Sequence, residues 1–166
     1  MTELNISYHE ATRQFWNKES GIIRYNLYKS AIKKAKTAIE NGFYIEAVAI
    51  YEGIIADRLE SRLQFLLNNE DVKIQSVGSA AYQCKKNDNS AENPIMFELY
   101  KRIFKWATKR NFVMHNMVKI KVDDTNLTFE KRYNIANQAA IEGVQIFNDL
   151  KKEIDRQKRR MSKTKA

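Results

Sequence analysis

The chain has 166 residues, 43% of them hydrophobic, a net charge of +9 at pH 7 and an isoelectric point near 9.6. This length corresponds to about one domain with a working core, and the positive charge favours a polyanionic partner, nucleic acid first and a membrane surface second. A lone cysteine, Cys84, excludes an internal disulfide, and with only two distant histidines the sequence has no zinc-ligand spacing, so we expect neither a metal nor another cofactor.

The first ten residues are polar and lack the basic-then-apolar pattern of a signal peptide. No apolar run approaches the ~20 residues that span a bilayer, so we expect a cytoplasmic protein without a membrane partner. The segment from Tyr8 to Lys18 predicts a short helix that carries Phe15 and Trp16, and Ser20-Gly21 is expected to interrupt it.

Two long amphipathic helices are expected next, at about residues 22–40 and 45–68. Asn41-Gly42 separates them, because both residue types tolerate the left-handed conformation that ends helices. The first helix has a core-facing apolar stripe formed by Ile23, Leu27, Ala31, Ala35 and Ala38. The second has a broader stripe and is expected to be the central helix; its members are Ala47, Ile50, Ile54, Leu59, Leu63 and Leu66.

Carboxylates also lie along the expected central helix, at Glu46, Glu52 and Asp57. One of them can contact the arginine of the motif described below. The alternative is that they are solvated or paired with nearby arginines such as Arg58 and Arg62.

From Asn69 to Asn93 the helical pattern weakens, which predicts a connector with one turn or short helix around residues 72–82. Either the connector is a solvated excursion, or its lysines, Lys85 and Lys86, approach a substrate. Cys84 is expected to be a small core or loop residue. Asn93-Pro94 then restarts a helix, with asparagine as the cap and proline at the first helical position.

The helix that begins there ends in residues 106–117, the one stretch that gathers groups able to do chemistry. Asn111 and His115 are four residues apart and so lie on one ridge of a helix, where the amide can orient the imidazole. Arg110 lies one step round the helix. Its planar fork of donors matches two phosphate oxygens, while a histidine gives or takes a proton near neutral pH. Together the three side chains suit phosphodiester chemistry.

Arg110-Asn111-x-x-x-His115 resembles the Arg-x(4–6)-His signature of HEPN domains, in which a polar residue commonly follows the arginine. The order of helices extends this resemblance loosely over about residues 22–157. The family implies a small all-α fold and a homodimer that pairs two motifs. Many members are metal-independent RNases of toxin–antitoxin, abortive-infection or CRISPR-linked antiviral defence, which implies an antitoxin or regulatory protein as a further partner.

The resemblance thus implies an endoribonuclease with Arg110, Asn111 and His115 as catalytic residues. Two alternatives remain: a non-catalytic HEPN-like dimer that binds RNA or nucleotides, and a purely structural helical interaction protein. One position departs from the family subgroup whose antitoxin is a nucleotidyltransferase. Met117 stands where that subgroup has a tyrosine, so regulation by modification of that tyrosine is not expected.

A polar turn at residues 123–126 precedes a final helix at about residues 128–156. Residues 151–166 hold eight basic and two acidic side chains, and eight minus two gives six of the nine net positive charges. The tail, residues 157–166, can follow a phosphate backbone without reading sequence, or it is a solubilising, disordered terminus. The side chains expected to contact RNA are Lys109, Lys158, Arg159 and Arg160.

No strand-like alternation, repeat or glycine-rich phosphate loop is present in the sequence. The prediction is therefore an all-α protein, an up-and-down bundle of four to five main helices, and the resemblance implies that this bundle is HEPN-like. Residues 1–156 form the single domain and residues 157–166 the basic C-terminal tail.

Overall fold

A computed structural model describes residues 18–119 and 128–163 of the chain, and in these ranges every regular element is an α-helix. The all-α prediction is therefore confirmed. The helices are α1 (Lys18–Glu40), α2 (Tyr44–Leu67), α3 (Val77–Asn87), α4 (Pro94–Asn116) and α5 (Phe129–Lys163). The helix expected from Tyr8 lies, apart from its last residue, outside the described residues, and so does the polar turn at residues 123–126.

Helix α2 is the centre of the bundle, as predicted, because it packs against each of the other four described helices. Of its predicted apolar stripe, Ile50 and Leu66 are partly buried, and the other four members are buried: Ala47, Ile54, Leu59 and Leu63. Val48 and Ile55, which were not in the predicted stripe, are fully buried as well. Two contacts fix how α4 runs beside it. Glu52 of α2 pairs with Arg110, and Arg62 donates a hydrogen bond to the Tyr100 hydroxyl, so the two helices are antiparallel.

Helix α5 runs back along α4, as contacts at both ends show. Arg132 near the start of α5 bonds the carbonyl of Asn116 at the end of α4, and Gln157 bonds Asn93 just before α4 begins. Between these ends lies Gly143, where a Cβ would come within 3.2 Å of the buried Trp106 ring and 3.3 Å of Tyr51 Cβ. The absence of a side chain at this position therefore allows α5 to approach α2 and α4 closely.

The turn between α1 and α2 forms where Asn41-Gly42 predicts it. Gly42 has a φ of +79°, a conformation that L side chains rarely adopt. The hydroxyl of Tyr133 on α5 donates a hydrogen bond to the Gly42 carbonyl, and a Cβ at Gly42 would lie 2.9 Å from that hydroxyl. This turn therefore also ties the start of α5 to the start of α2.

The prediction for the first half of α1 is wrong in two respects. The helix continues through Ser20-Gly21, where a break was expected. Ile23 and Leu27, expected in the core, are 64% and 68% exposed. The side chains of α1 that pack against the core begin at Tyr28, which donates a hydrogen bond to Asp57 of α2. Further along α2, Arg62 bonds Asp88 at the end of α3 and Tyr100 of α4.

Two other boundaries differ from the predictions. The connector contains α3, which starts and ends five residues later than the short helix expected at residues 72–82. The side chain of Ser76 caps the start of α3 by accepting a hydrogen bond from the amide of Ser79 at 3.1 Å. At the other end of α3, Lys85 and Lys86 lie in the last turn.

Helix α5 passes the expected end at Arg156 and continues to Lys163, because Gln157 is buried against α4 and extends the packed face. Most of the predicted tail is therefore helical.

Candidate functional site

The guanidinium of Arg110 is held between two helices. Its Nη2 forms an ion pair with the carboxylate of Glu52 on α2, and its Nη1 donates a hydrogen bond of 2.7 Å to the amide oxygen of Asn111. The side chains of Arg110 and Glu52 are only 18% and 19% exposed. Of the interpretations for the α2 carboxylates, contact with the motif arginine is therefore the one realised at Glu52.

The other carboxylates of α2 have different partners, and Glu60 accepts a hydrogen bond of 3.2 Å from the backbone amide of Ile74. Glu46 lies 3.7 Å from Lys34 in an exposed pair, and Asp57 accepts a hydrogen bond from Tyr28. The neighbouring Arg62 pairs with Asp88 rather than with a carboxylate of its own helix. Glu52 is therefore the α2 carboxylate that orients the motif.

Asn111 and His115 are both exposed on one ridge near the end of α4. The expectation was that the amide of Asn111 orients the imidazole. In the structure the amide oxygen instead accepts from Arg110, and among the described side chains none bonds the imidazole of His115. Asn111 thus connects the guanidinium of Arg110 to the ridge that carries His115.

The donors of Arg110 are not equally accessible. Its Nε is buried and has no hydrogen-bond partner among the described residues, which is uncommon for a buried donor. A phosphate oxygen therefore has no access to Nε in this state and must reach an Nη atom. The Glu52 carboxylate and the Asn111 amide already occupy one position on each Nη atom, and a guanidinium has five N–H donors in total.

Arg132 of α5 closes the end of the motif helix, which the sequence did not indicate. It is 4% exposed and donates hydrogen bonds to the carbonyls of Asn116 and, at 2.7 Å, Lys119. Its guanidinium also lies 5.9 Å from the centre of the Phe112 ring. The last carbonyls of a helix lack partners within it, and a positive charge there complements the helix dipole. Arg132 therefore holds the segment that follows His115.

Lys109, expected to contact RNA, lies on the other flank of α4. Its Nζ pairs with Glu142 of α5 at 2.6 Å, whereas Arg110 faces α2. Lys109 also lines a shallow cavity of about 430 Å³ between α4 and α5. Met117, at the position where one HEPN subgroup has tyrosine, is 7% exposed and packs in the core. Neither residue adds a free polar group to the ridge of His115.

The structure separates the remaining predicted RNA contacts from the motif. Arg159 and Arg160 are exposed near the end of α5, and the side chain of Lys158 is outside those described. Gln157 donates a 3.0 Å hydrogen bond to Asn93, which places this end of α5 beside the start of α4. The motif is at the other end of α4.

A buried polar cluster, also missed from the sequence, lies at that far end of the bundle. Asp88 accepts hydrogen bonds from Tyr100 at 2.6 Å, Arg62 at 2.7 Å and Asn93 at 2.9 Å. Burial acts to raise the pKa of Asp88, but these hydrogen bonds and the charge of Arg62 outweigh it and hold the pKa below its usual value. Burial raises the pKa of the adjacent Cys84 thiol to about 12. The bonds are satisfied within the cluster, which indicates a structural role.

The described residues provide neither a metal site nor a membrane-spanning helix. No group of three or more histidine, cysteine, aspartate or glutamate side chains in residues 18–119 and 128–163 is placed to hold a metal ion. No helix in the same ranges is long and apolar enough to cross a membrane. In comparisons with known proteins, no family model matches the chain, and neither the curated proteins nor the solved structures contain a match.

Proposed function

We propose that this protein is a metal-independent endoribonuclease of the HEPN type, with Arg110, Asn111 and His115 as its catalytic residues. One observation supports this most strongly: the Arg110 guanidinium is fixed by Glu52 and Asn111 beside the exposed ridge that carries His115. A fixed cation beside a histidine that can transfer protons is a pairing that suits phosphodiester cleavage.

In the proposed reaction the 2′-hydroxyl of RNA attacks the adjacent phosphorus, and the bond to the 5′-oxygen of the next nucleotide breaks. The products carry a 2′,3′-cyclic phosphate and a 5′-hydroxyl. His115 transfers the protons, and Arg110 stabilises the negative charge that develops on the phosphate oxygens. Asn111 holds the guanidinium in place through its amide oxygen. DNA is not a substrate, because it lacks the nucleophile.

The proposed active unit is a homodimer. The reaction needs a base for the hydroxyl and an acid for the departing oxygen, and each chain supplies one histidine in the motif. A twofold axis beside the end of α4 would bring two copies of His115 together. Specific activity should then fall on dilution in parallel with the mass measured by light scattering. Full activity from a monomer would exclude the shared site.

A second candidate function is supported by the same ion pair. Because Glu52 already neutralises the charge of Arg110, the site also suits a non-catalytic HEPN-like dimer that binds RNA or nucleotides through the remaining donors. This candidate and the nuclease differ in what happens to bound RNA: a binding module retains it intact.

The two candidates are separated by incubating the purified protein with single-stranded RNA in EDTA. The nuclease cuts the RNA, and His115→Ala abolishes cutting. The matched control is His9→Ala, which removes the only other histidine and should leave cutting unchanged. RNA that is shifted but intact favours the binding module, and neither cutting nor binding favours a purely structural interaction protein.

An endoribonuclease of this kind would damage the RNA of its own cell, so we propose a toxin or phage-defence role with an antitoxin or regulatory protein as partner. Expression of the wild-type chain alone should then slow growth, while the His115→Ala variant should not. Equal growth with the two chains, each confirmed to be expressed, would argue against a toxin.

A further inference from the structure

The last three turns of α5 carry a basic recess that is separate from the motif. A shallow cavity of about 400 Å³ is lined by Lys152, Arg156, Arg159 and Arg160. At about 100° per residue, these four positions fall within an arc of roughly 100° on the helix. Because this segment is helical, its four basic side chains lie on one face of α5; in an extended chain they would not share a face.

This basic recess is anchored to the bundle at its centre. Both oxygens of the Glu153 carboxylate accept hydrogen bonds from Arg156, at 2.6 and 2.7 Å, and Glu153 itself is 3% exposed. Gln157 joins Glu153 to Asn93 before α4. The carboxylate neutralises one of the four cations, and the bonds hold the recess at a fixed place relative to α4.

The recess and the motif lie at opposite ends of α4. This helix has 23 residues and is therefore about 35 Å long, from a rise of ~1.5 Å per residue. A nucleic acid strand has one phosphate per ~3.4 Å when it is helical. A strand that occupies both places thus needs on the order of ten phosphates.

We infer that the basic recess binds the phosphate backbone of RNA and that the substrate is a strand of about ten nucleotides or more, rather than a short oligonucleotide or free nucleotide. This inference rests on the proposed function for the choice of RNA. Clustered positive charge attracts a nucleic acid of any sequence even though Glu153 offsets the charge of Arg156, and backbone contacts position a strand without selecting bases. The recess therefore increases the affinity for long RNA and leaves sequence preference to other contacts.

The test uses the full-length protein and separates binding from cleavage. Fluorescence anisotropy with a 20-nucleotide single strand is measured over a series of salt concentrations in a His115→Ala background. Arg159→Gln/Arg160→Gln is compared with Lys33→Gln/Lys36→Gln, which removes the same charge from the exposed face of α1. Loss of two phosphate contacts should flatten the slope of log affinity against log salt by about 1.4, from ~0.7 per phosphate on a single strand. The α1 variant should keep the wild-type slope.

Cleavage of a 20-mer and a hexamer by the otherwise wild-type chain completes the test. The 20-mer should have the higher kcat/KM, and this advantage should shrink at least fivefold in Arg159→Gln/Arg160→Gln. Equal slopes for the two charge variants, or binding of anionic lipid vesicles in preference to RNA, would overturn the inference even if RNA is cut. If no RNA is cut but the slope changes as expected, the proposed nuclease fails and the RNA-binding recess stands.

Discussion

Arg110 and Glu52 join the end of the motif helix to the central helix through an ion pair in which each side chain is less than one-fifth exposed. Because Asn111 binds the same guanidinium, Arg110 has a fixed orientation before any substrate arrives. In the proposed nuclease, an arginine held in this way need not be reoriented during the reaction, which is the advantage that preorganised charges give an active site.

Replacing Glu52 with alanine should therefore lower kcat for RNA cleavage about tenfold, the ~1.4 kcal/mol expected when one orienting interaction is lost. KM should change less, because the N–H donors of Arg110 remain present to bind a phosphate. The control is Glu46→Ala, which removes an exposed carboxylate from the same helix. Faster cleavage by Glu52→Ala would mean that the ion pair restrains Arg110 instead of positioning it.

Arg132→Met should destabilise the protein by about 2 kcal/mol, because the carbonyls of Asn116 and Lys119 lose a charged donor in a buried setting. Methionine preserves much of the side-chain volume, so the effect reports the lost hydrogen bonds. Urea unfolding measures it, with the exposed Lys105→Met as the control expected within about 0.5 kcal/mol of wild type. A stability equal to that of the control would show that Arg132 does not hold the end of α4.

Two glycines in helices should respond oppositely to alanine. A Cβ at Gly53 has nothing within 4 Å, so Gly53→Ala should stabilise the protein by about 0.8 kcal/mol through helix propensity. At Gly143 the same Cβ meets the buried Trp106 ring and Tyr51, so Gly143→Ala should give no gain and should lower the melting temperature. Equal stabilisation by both substitutions would contradict the close approach of α5 to Trp106.

Asp88→Asn should be less stable than wild type by about 3 kcal/mol at pH 7, because it breaks a buried pair with Arg62. The folded-state pKa of Asp88 is lowered, so its ionisation stabilises the protein above the unfolded pKa of about 3.9. This contribution is lost as pH falls through the lower folded pKa, so the two proteins should converge below about pH 4. Urea unfolding across pH measures the difference, with the exposed Asp149→Asn as control. A difference that stays constant down to pH 2 would contradict this assignment.

The sequence predicted the helical class, the turn at Gly42, the start of α4 at Pro94 and the central position of α2, because each depends on local periodicity or on backbone preference. It did not predict the exposure of Ile23 and Leu27. An apolar stripe such as that of α1 is buried along its whole length only where a neighbouring helix covers all of it, and the sequence of α1 does not show how far that cover extends. The periodic apolar pattern of α5 weakens after Ile154, and the continuation of the helix depends on Gln157 reaching α4.

The candidate motif is a pattern of the sequence and stays a prediction, whereas the contacts that support it in the structure were only partly predictable. Glu52 is one of four carboxylates on α2, and no local sequence pattern gives the distance from α2 to α4. Arg132 had no sequence signal, because its contacts with Asn116 and Lys119 exist only once α5 has folded back along α4.

The most direct test of the proposed nuclease is the cleavage of a DNA oligonucleotide that contains a single ribose, in EDTA, with the product ends identified by mass spectrometry. The proposal predicts one cut, immediately after the ribose, that leaves a 2′,3′-cyclic phosphate and a 5′-hydroxyl, with no cut by His115→Ala. Cleavage of the matched all-deoxy strand, or an equal rate of cutting by His115→Ala, would contradict it.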